Sequence, residues 1–255
     1  MRHLIAFPCE GDTLIGTLDA APGRTGLLIV SGGNEIRCGA HRGMALLAER
    51  VAAAGFPVFR YDRRGIGDST GANAGFPSAR PDLIAAASIF RDRAPQVNTL
   101  VGFGNCDAAA TLALYGRDAG LSRLLLANPW TIGDADDLPP AAAIRATYRQ
   151  RLTSPDAWRR LLSGRIDIGK ALKGLRKVAA PPPQALATRV VAAISGWRKA
   201  ATVILATGDA TAQAYAAAAR HLPAVRIGTD SHSFARETDQ RDLTEAVLRM
   251  LSEAG

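Results

Sequence analysis

The sequence predicts an α/β fold: a mostly parallel, doubly wound sheet with helices on both faces and a helical insert between two of its strands. Three observations predict it. Six short runs are apolar and rich in Val, Ile and Leu, near-continuous rather than alternating, as buried parallel strands are. Helical patterns lie between most of them. The alternation stops after Asn128 and resumes at Thr202.

The elements follow in order. "HLIAFPCEGDTLIGTLD" reads as an antiparallel hairpin at the sheet edge, with Gly11-Asp12 at its turn. "GLLIVSG" is the first buried strand, followed by the helix "HRGMALLAERVAAAG", which closes on a glycine. "FPVFRYD", the helix "ARPDLIAAASIFRDRA", "TLVGFG", the helix "DAAATLALYGRDAG" and "RLLLANP" continue the alternation. From Thr131 to about Lys199 there is no strand pattern. Four helical stretches stand there instead, "PPAAAIRATYRQRL", "SPDAWRRLLSG", "IGKALKGLRKV" and "PPQALATRVVAAISGW", with Pro181-Pro182-Pro183 as a stiff spacer. Then come "ATVILAT", the helix "TAQAYAAAARHL", "PAVRIG" and a last helix from Gln240 to Ser252. Residues 1–130 and 200–255 are expected to form the core, and residues 131–199 a helical lid over the sheet's carboxyl edge.

Composition excludes several classes. A chain of 255 residues that is 47% hydrophobic can fill one α/β core with an insertion. No apolar run approaches the ~18 residues of a membrane span. Cys9, Glu10 and Asp12 interrupt the N-terminus too early for a secretory signal, so stable membrane insertion is not expected and a cytoplasmic location is. The three cysteines, Cys9, Cys38 and Cys106, do not make a disulfide framework. No Cys-x-x-Cys or His-x-x-x-His pair occurs, so no metal is expected. "Gly102-Phe103-Gly104-Asn105-Cys106-Asp107" lacks the third glycine of a dinucleotide loop, and no Gly-Lys-Ser/Thr follows a strand, so no cofactor is expected either.

Net charge is +8, and its distribution is uneven. Between Ala141 and Ala200 stand thirteen Lys and Arg against Asp156 and Asp167, a segment of +11 in a chain whose remainder is −3. Such a patch attracts anions, whether phosphates, acidic glycans, an acidic carrier protein or an anionic membrane surface, or is simply a solvated face. Aromatic residues are 5% and no nucleic-acid motif occurs, so nucleic acid is not an expected partner. Nothing in the sequence speaks to oligomeric state.

Open parallel sheets bind ligands at the carboxyl ends of their strands. The residues just past those ends are Ser31-Gly32-Gly33-Asn34, Asp62, Cys106, Asn128-Pro129-Trp130, Asp209 and His232. A thiol, a carboxylate and an imidazole thus appear in that order. Cys106, on the tight turn between strand and helix, would attack a carbonyl as its thiolate, stabilised by the positive end of the helix starting near Asp107 and by His232. His232 would hold the proton and later activate water. Asp209 would orient the imidazole, or else would cap the helix beginning near Thr211; Asp134, Asp136 or Asp137 could supply the acid instead. The oxyanion would meet the N–H of Asp107 and that of Gly33 or Asn34, unless the glycines are a plain turn. His41 and Arg42 could line the site or be a capping pair on its rim. Trp130 and Arg159 are further candidates to touch substrate. Asp62, Gly65, Gly67 and Asp68 in "YDRRGIGDSTG" read as a structural loop.

This order of residues on this order of elements resembles the α/β-hydrolase fold, whose nucleophile sits on a Gly-x-Nuc-x-Gly elbow. Here the elbow is Gly104-Asn105-Cys106-Asp107-Ala108, with cysteine for serine and alanine for the last glycine. The Cys-Asp-His set resembles that of dienelactone hydrolase. The segments "SGGNEIRCGAHRGMALLAERVAAAGFPVFRYDRRGIGDSTG", "GFGNCDAAATLAL", "LLLANPW" and "YRQRLTSPDAWRRLLSGRID" together are similar to the bacterial exosortase A system-associated hydrolases of type 1. That resemblance implies a cytoplasmic hydrolase or acyl transferase encoded beside genes for exopolysaccharide and protein sorting. Three functions are therefore in view: a cysteine hydrolase of an ester or thioester, an acyltransferase using the same acyl-enzyme, and a non-catalytic protein that binds a partner through the basic insert.

Overall fold

The computed structural model describes residues 1–132 and 186–254. Its first two strands, β1 (Arg2–Cys9) and β2 (Asp12–Asp19), pair antiparallel along their full length, with Cys9 opposite Asp12. The turn is therefore Glu10-Gly11, one residue earlier than the expected Gly11-Asp12. Both turn residues have positive φ, 49° and 91°, which matches the twist of a two-residue hairpin, and Asp12 is drawn into the ladder.

All six expected core strands form. They are β3 (Thr25–Val30), β4 (Val58–Tyr61), β5 (Thr99–Asn105), β6 (Arg123–Ala127), β7 (Ala201–Ala206) and β8 (Val225–Ile227). Among the described residues the α-helices between them are α1 (Gly43–Ala53), α2 (Arg80–Arg93), α3 (Asp107–Tyr115), α4 (Leu186–Trp197) and α5 (Ala210–Ala218), and α6 (Glu237–Ala254) follows β8. The sheet runs β1-β2-β4-β3-β5-β6-β7-β8. It is parallel from β4 to β8, and β2 joins β4 antiparallel.

Alternate strand residues serve opposite faces. Leu27, Ile29, Val58, Val101 and Phe103 share one buried cluster with Met44, Leu47 and Val51 of α1 and with Leu243, Val247 and Leu251 of α6. The four-residue spacing of that last set puts them on one face of α6, an amphipathic helix that begins at Glu237 rather than Gln240. Phe59, of the other parity, stacks on Phe90 of α2 with ring centroids 5.6 Å apart. Helices thus cover both faces, and the strands' carboxyl ends are left to the loops.

One compact unit comprises Met1–Thr131 together with Ala187–Gly255. The chain therefore rejoins the core at residue 187, not at 200. Val190, Val191, Ile194 and Trp197 of α4 are buried. The Trp197 indole N–H donates to Ala113 O of α3 at 3.0 Å, and the Arg117 guanidinium lies 4.4 Å over its ring while also donating to Gly196 O at 2.9 Å. An apolar stripe with that anchor belongs in a core rather than on a cover. The rest of the expected lid, with its cations from Arg145 to Lys177, lies outside the described residues. Among the described residues no helix is long and apolar enough to cross a membrane.

Candidate active site

β5 ends at Asn105 and α3 begins at Asp107, so Cys106 alone makes the turn. Its φ is 62° and ψ −126°, a conformation that costs a non-glycine residue on the order of 1–3 kcal/mol. Its backbone hydrogen bonds hold it there, the weakest being from Ala110 N–H to its carbonyl at 3.4 Å. Its N–H donates to Ala127 O on β6 at 3.0 Å, and its carbonyl accepts from Ala109 and Trp130, each at 3.1 Å. The elbow is also sterically specified. A Cβ on Gly104 would stand 2.9 Å from the Ala108 carbonyl carbon and 2.9 Å from Leu112 Cδ1. Ala108, in place of the pattern's last glycine, is fully buried and fits.

The thiol's acidity differs from the expectation of a helix-stabilised thiolate. Burial first, and then the Asp107 carboxylate, push Cys106 up to about 11, while the Asp107 backbone N–H acts in the opposite sense. Desolvation outweighs the helix end here. The resting group at neutral pH is a thiol, which must hand its proton to a base before it attacks.

That base is within the same set of strand ends. Asp209 follows β7, His232 follows β8, and His232 Nδ1 lies 3.0 Å from Asp209 Oδ1. The two readings of Asp209 turn out to be compatible, because the carboxylate has two oxygens. Oδ2 accepts the Ala212 N–H at 2.9 Å and caps α5, while Oδ1 faces the imidazole. Asp209 is 8% exposed, so the carboxylate end of this contact is shielded, while His232 is half-buried. With Nδ1–H held by the carboxylate, Nε2 is the free, proton-accepting nitrogen. No hydrogen bond joins the thiol to the imidazole among the described residues. The acids Asp134, Asp136 and Asp137 lie outside the described residues.

Two asparagines that the sequence reading did not assign hold the histidine. Asn105 Nδ2 donates to His232 O at 3.0 Å, and Asn128 Nδ2 donates to the same oxygen at 3.1 Å and to Asn105 Oδ1 at 3.1 Å. Asn128 Oδ1 in turn accepts the Ala206 N–H at 2.9 Å. Asn128 is fully buried with φ 42°, a left-handed position that asparagine tolerates better than most residues. These two side chains tie β5, β6 and β7 to the histidine loop. The available signal was an asparagine past the end of β6 and another inside the elbow; their shared acceptor has no local signature. The loop is pinned on its other side by Ser231, whose Oγ accepts from Ala235 N at 2.9 Å, and by the fully buried Phe234.

The β3 loop departs from expectation at Gly33. Its N–H donates to Asp107 Oδ1 at 2.6 Å, so it is engaged by a carboxylate and not open to an oxyanion. Gly33 has φ +55°, and its carbonyl accepts from Arg63 Nη2. Asn34 is exposed, with its side-chain oxygen accepting from Asn73 Nδ2 at 2.9 Å. His41 and Arg42 lie just ahead of α1 in left-handed conformations, φ 51° and 62°, exposed, and neither side chain caps the helix. Trp130 is half-buried and its backbone N–H binds the elbow. Arg159 lies outside the described residues. The loop after β4 has the structural role expected of it. The fully buried Asp62 accepts from the backbone of Arg37 at 2.5 Å and of Asp68 at 3.2 Å, and Asp68 pairs with Arg37 at 2.9 Å.

No protein-family model matches the chain, and no curated protein matches it in sequence. Solved structures do match in shape. The α/β hydrolase GrgF of Penicillium sp. sh18 superposes with a TM-score of 0.68 at 16% identity, covering 100% of this chain and 99% of that one. The esterase Pf2001 of Pyrococcus furiosus gives 0.63 at 14% identity, covering 100% and 94%. The thioesterase domain of the curacin biosynthetic pathway gives 0.58 at 12%, covering 99% of each. At these identities the likeness establishes the fold: this chain has the α/β-hydrolase fold.

Proposed function

We propose that the protein is a cysteine-dependent acyl hydrolase that cleaves an ester or thioester through an acyl-enzyme on Cys106. The observation that carries the reading is the 3.0 Å contact of His232 Nδ1 with the shielded Asp209 carboxylate, at the strand ends beside a cysteine held at φ 62° on the elbow. The names of the similar structures, an esterase and a thioesterase domain among them, support the same bond type.

The reaction runs in balanced steps. His232 Nε2 takes the Cys106 proton as the sulfur attacks the carbonyl carbon, and the carbonyl oxygen becomes an oxyanion. The oxyanion collapses, the bond to the leaving alcohol or thiol breaks, and that group departs with the proton from Nε2. Water then loses a proton to Nε2 and attacks the acyl carbon, and the thiol recovers the proton as the acid is released. Asp209 keeps the imidazole in the required tautomer throughout. The Asp107 backbone N–H, directly after the nucleophile, is one oxyanion donor. An anionic or carrier-bound acyl group, a cytoplasmic setting and a link to exopolysaccharide genes extend this reading on the basic insert and the motif resemblance.

The test is intact-mass measurement after incubation with activated esters and thioesters. A stoichiometric acyl adduct on Cys106, absent in Cys106→Ala, is the expected result. Decay of the adduct in water indicates a hydrolase, and decay only with an added alcohol or amine indicates a transferase. No adduct across the panel overturns the proposal.

A further inference from the structure

We infer that Arg63 is a positioning residue for the transition state: its guanidinium orients the Gly33–Asn34 peptide so that the Asn34 N–H, and not that of Gly33, is the loop's oxyanion donor. The inference rests on the reading of Cys106 as the acyl-accepting nucleophile.

The geometry begins with the peptide bond. In a trans peptide the C=O and the N–H point to opposite sides. Arg63 Nη2 holds Gly33 O, so the N–H across the same bond, that of Asn34, is turned away from the arginine. One peptide earlier, both groups are already used. Gly33 N–H donates to Asp107 Oδ1 at 2.6 Å, and Gly32 O accepts from Glu35 N at 3.0 Å. Asn34 N–H has no acceptor among the described residues.

The loop presses on the elbow. A Cβ on Gly32 would stand 2.5 Å from Asn105 O, 2.8 Å from Asp107 Oδ1 and 3.4 Å from Cys106 Cβ. Arg63 is itself placed by Asp107, with Nη2 3.6 Å from Oδ2. Asp107 thus contributes one donor through its backbone and sets the other through its carboxylate and Arg63. Arg63 is only 4% exposed, and its Nη1 is buried without an acceptor among the described residues. The guanidinium is committed through Nη2, which the Gly33 carbonyl and the Asp107 carboxylate share.

The test compares two reactions of one sulfur. Acylation by a p-nitrophenyl ester passes through an oxyanion, and alkylation by iodoacetamide does not. In Arg63→Met the single-turnover acylation rate should fall about 10²- to 10³-fold, the loss typical of one oxyanion donor, with half-saturation within about threefold of wild type. Alkylation, compared across pH so that any shift of its profile is separated from the sulfur's reactivity, should stay within about twofold, and Arg63→Lys should recover at least about tenfold of the acylation rate. Acylation within threefold of wild type overturns the inference, as does alkylation falling in step with acylation, since that would mean a deformed elbow. Should Arg63→Met not fold, Asn34→Pro deletes the N–H itself on an exposed loop and leaves the arginine in place. It should show the same split, and its failure to do so also overturns the inference. Wild-type protein that alkylates but takes no acyl group sinks the underlying reading, and this one with it.

Discussion

Replacing Asp209 by asparagine separates the two tasks of one carboxylate. Oδ2 caps α5 through Ala212 N, and Oδ1 faces His232 Nδ1 at 3.0 Å. Asparagine caps a helix about as well as aspartate, so with its oxygen on Ala212 the variant should keep its stability within about 0.5 kcal/mol. Its NH2 group then faces Nδ1 and donates to it. That favours the tautomer with the proton on Nε2, which cannot accept one from the thiol. General-base catalysis is worth about 10²- to 10⁴-fold, and the acylation rate should fall by that amount. Asp209→Ala should lose the same rate and the cap as well. The cap is worth about 0.5–2 kcal/mol, or roughly 2–4 °C in Tm for each kcal/mol in a chain of this size. Stopped-flow acylation with a p-nitrophenyl ester and thermal melts measure both quantities. If Asp209→Asn acylates within threefold of wild type, Asp209 is only a cap and the role given to it is wrong.

The remaining predictions follow from the thiol, the buried amides and the returning helix. With the Cys106 thiol at about 11, the thiolate appears only as pH rises, so iodoacetamide alkylation should climb about tenfold per pH unit from 7 to 10. A plateau below pH 8 would show a preformed thiolate instead. Because the Asp107 carboxylate raises that pKa, Asp107→Asn should shift the alkylation profile to lower pH. Asn128→Leu orphans the buried Ala206 N–H and removes donors to Asn105 and His232; at about 1–3 kcal/mol for each orphaned group, urea denaturation should show a loss of about 3 kcal/mol or more. Unchanged stability would mean that the amide network holds nothing. Trp197→Ala should cost about 3–5 kcal/mol if α4 is part of the core, and a cost below about 1 kcal/mol would return that helix to the insert.

What could be read from the sequence was what local chemistry dictates. Continuous apolar runs mark buried strands; those patterns arise within a few residues of one another, so the strands and their succession along the chain were legible. So was the elbow, because glycine at 104 and a reactive side chain at 106 are demands of one tight turn. Even the hairpin was off by only one residue, since turn position depends on the register of the paired strand. Non-local contact decided the rest. Asp209 is both a cap and the imidazole's partner because Ala212 and His232 approach it from different directions. Asn105 and Asn128 converge on one carbonyl from positions 127 and 104 residues away in the chain. Gly33 is withdrawn from the oxyanion site by a carboxylate 74 residues on. The thiol is neutral because burial, which only the packed tertiary structure creates, outweighs the helix end that the sequence makes visible. Sequence pattern carries the periodicity of neighbours; desolvation and the second partner of a polar group are set only where distant segments meet.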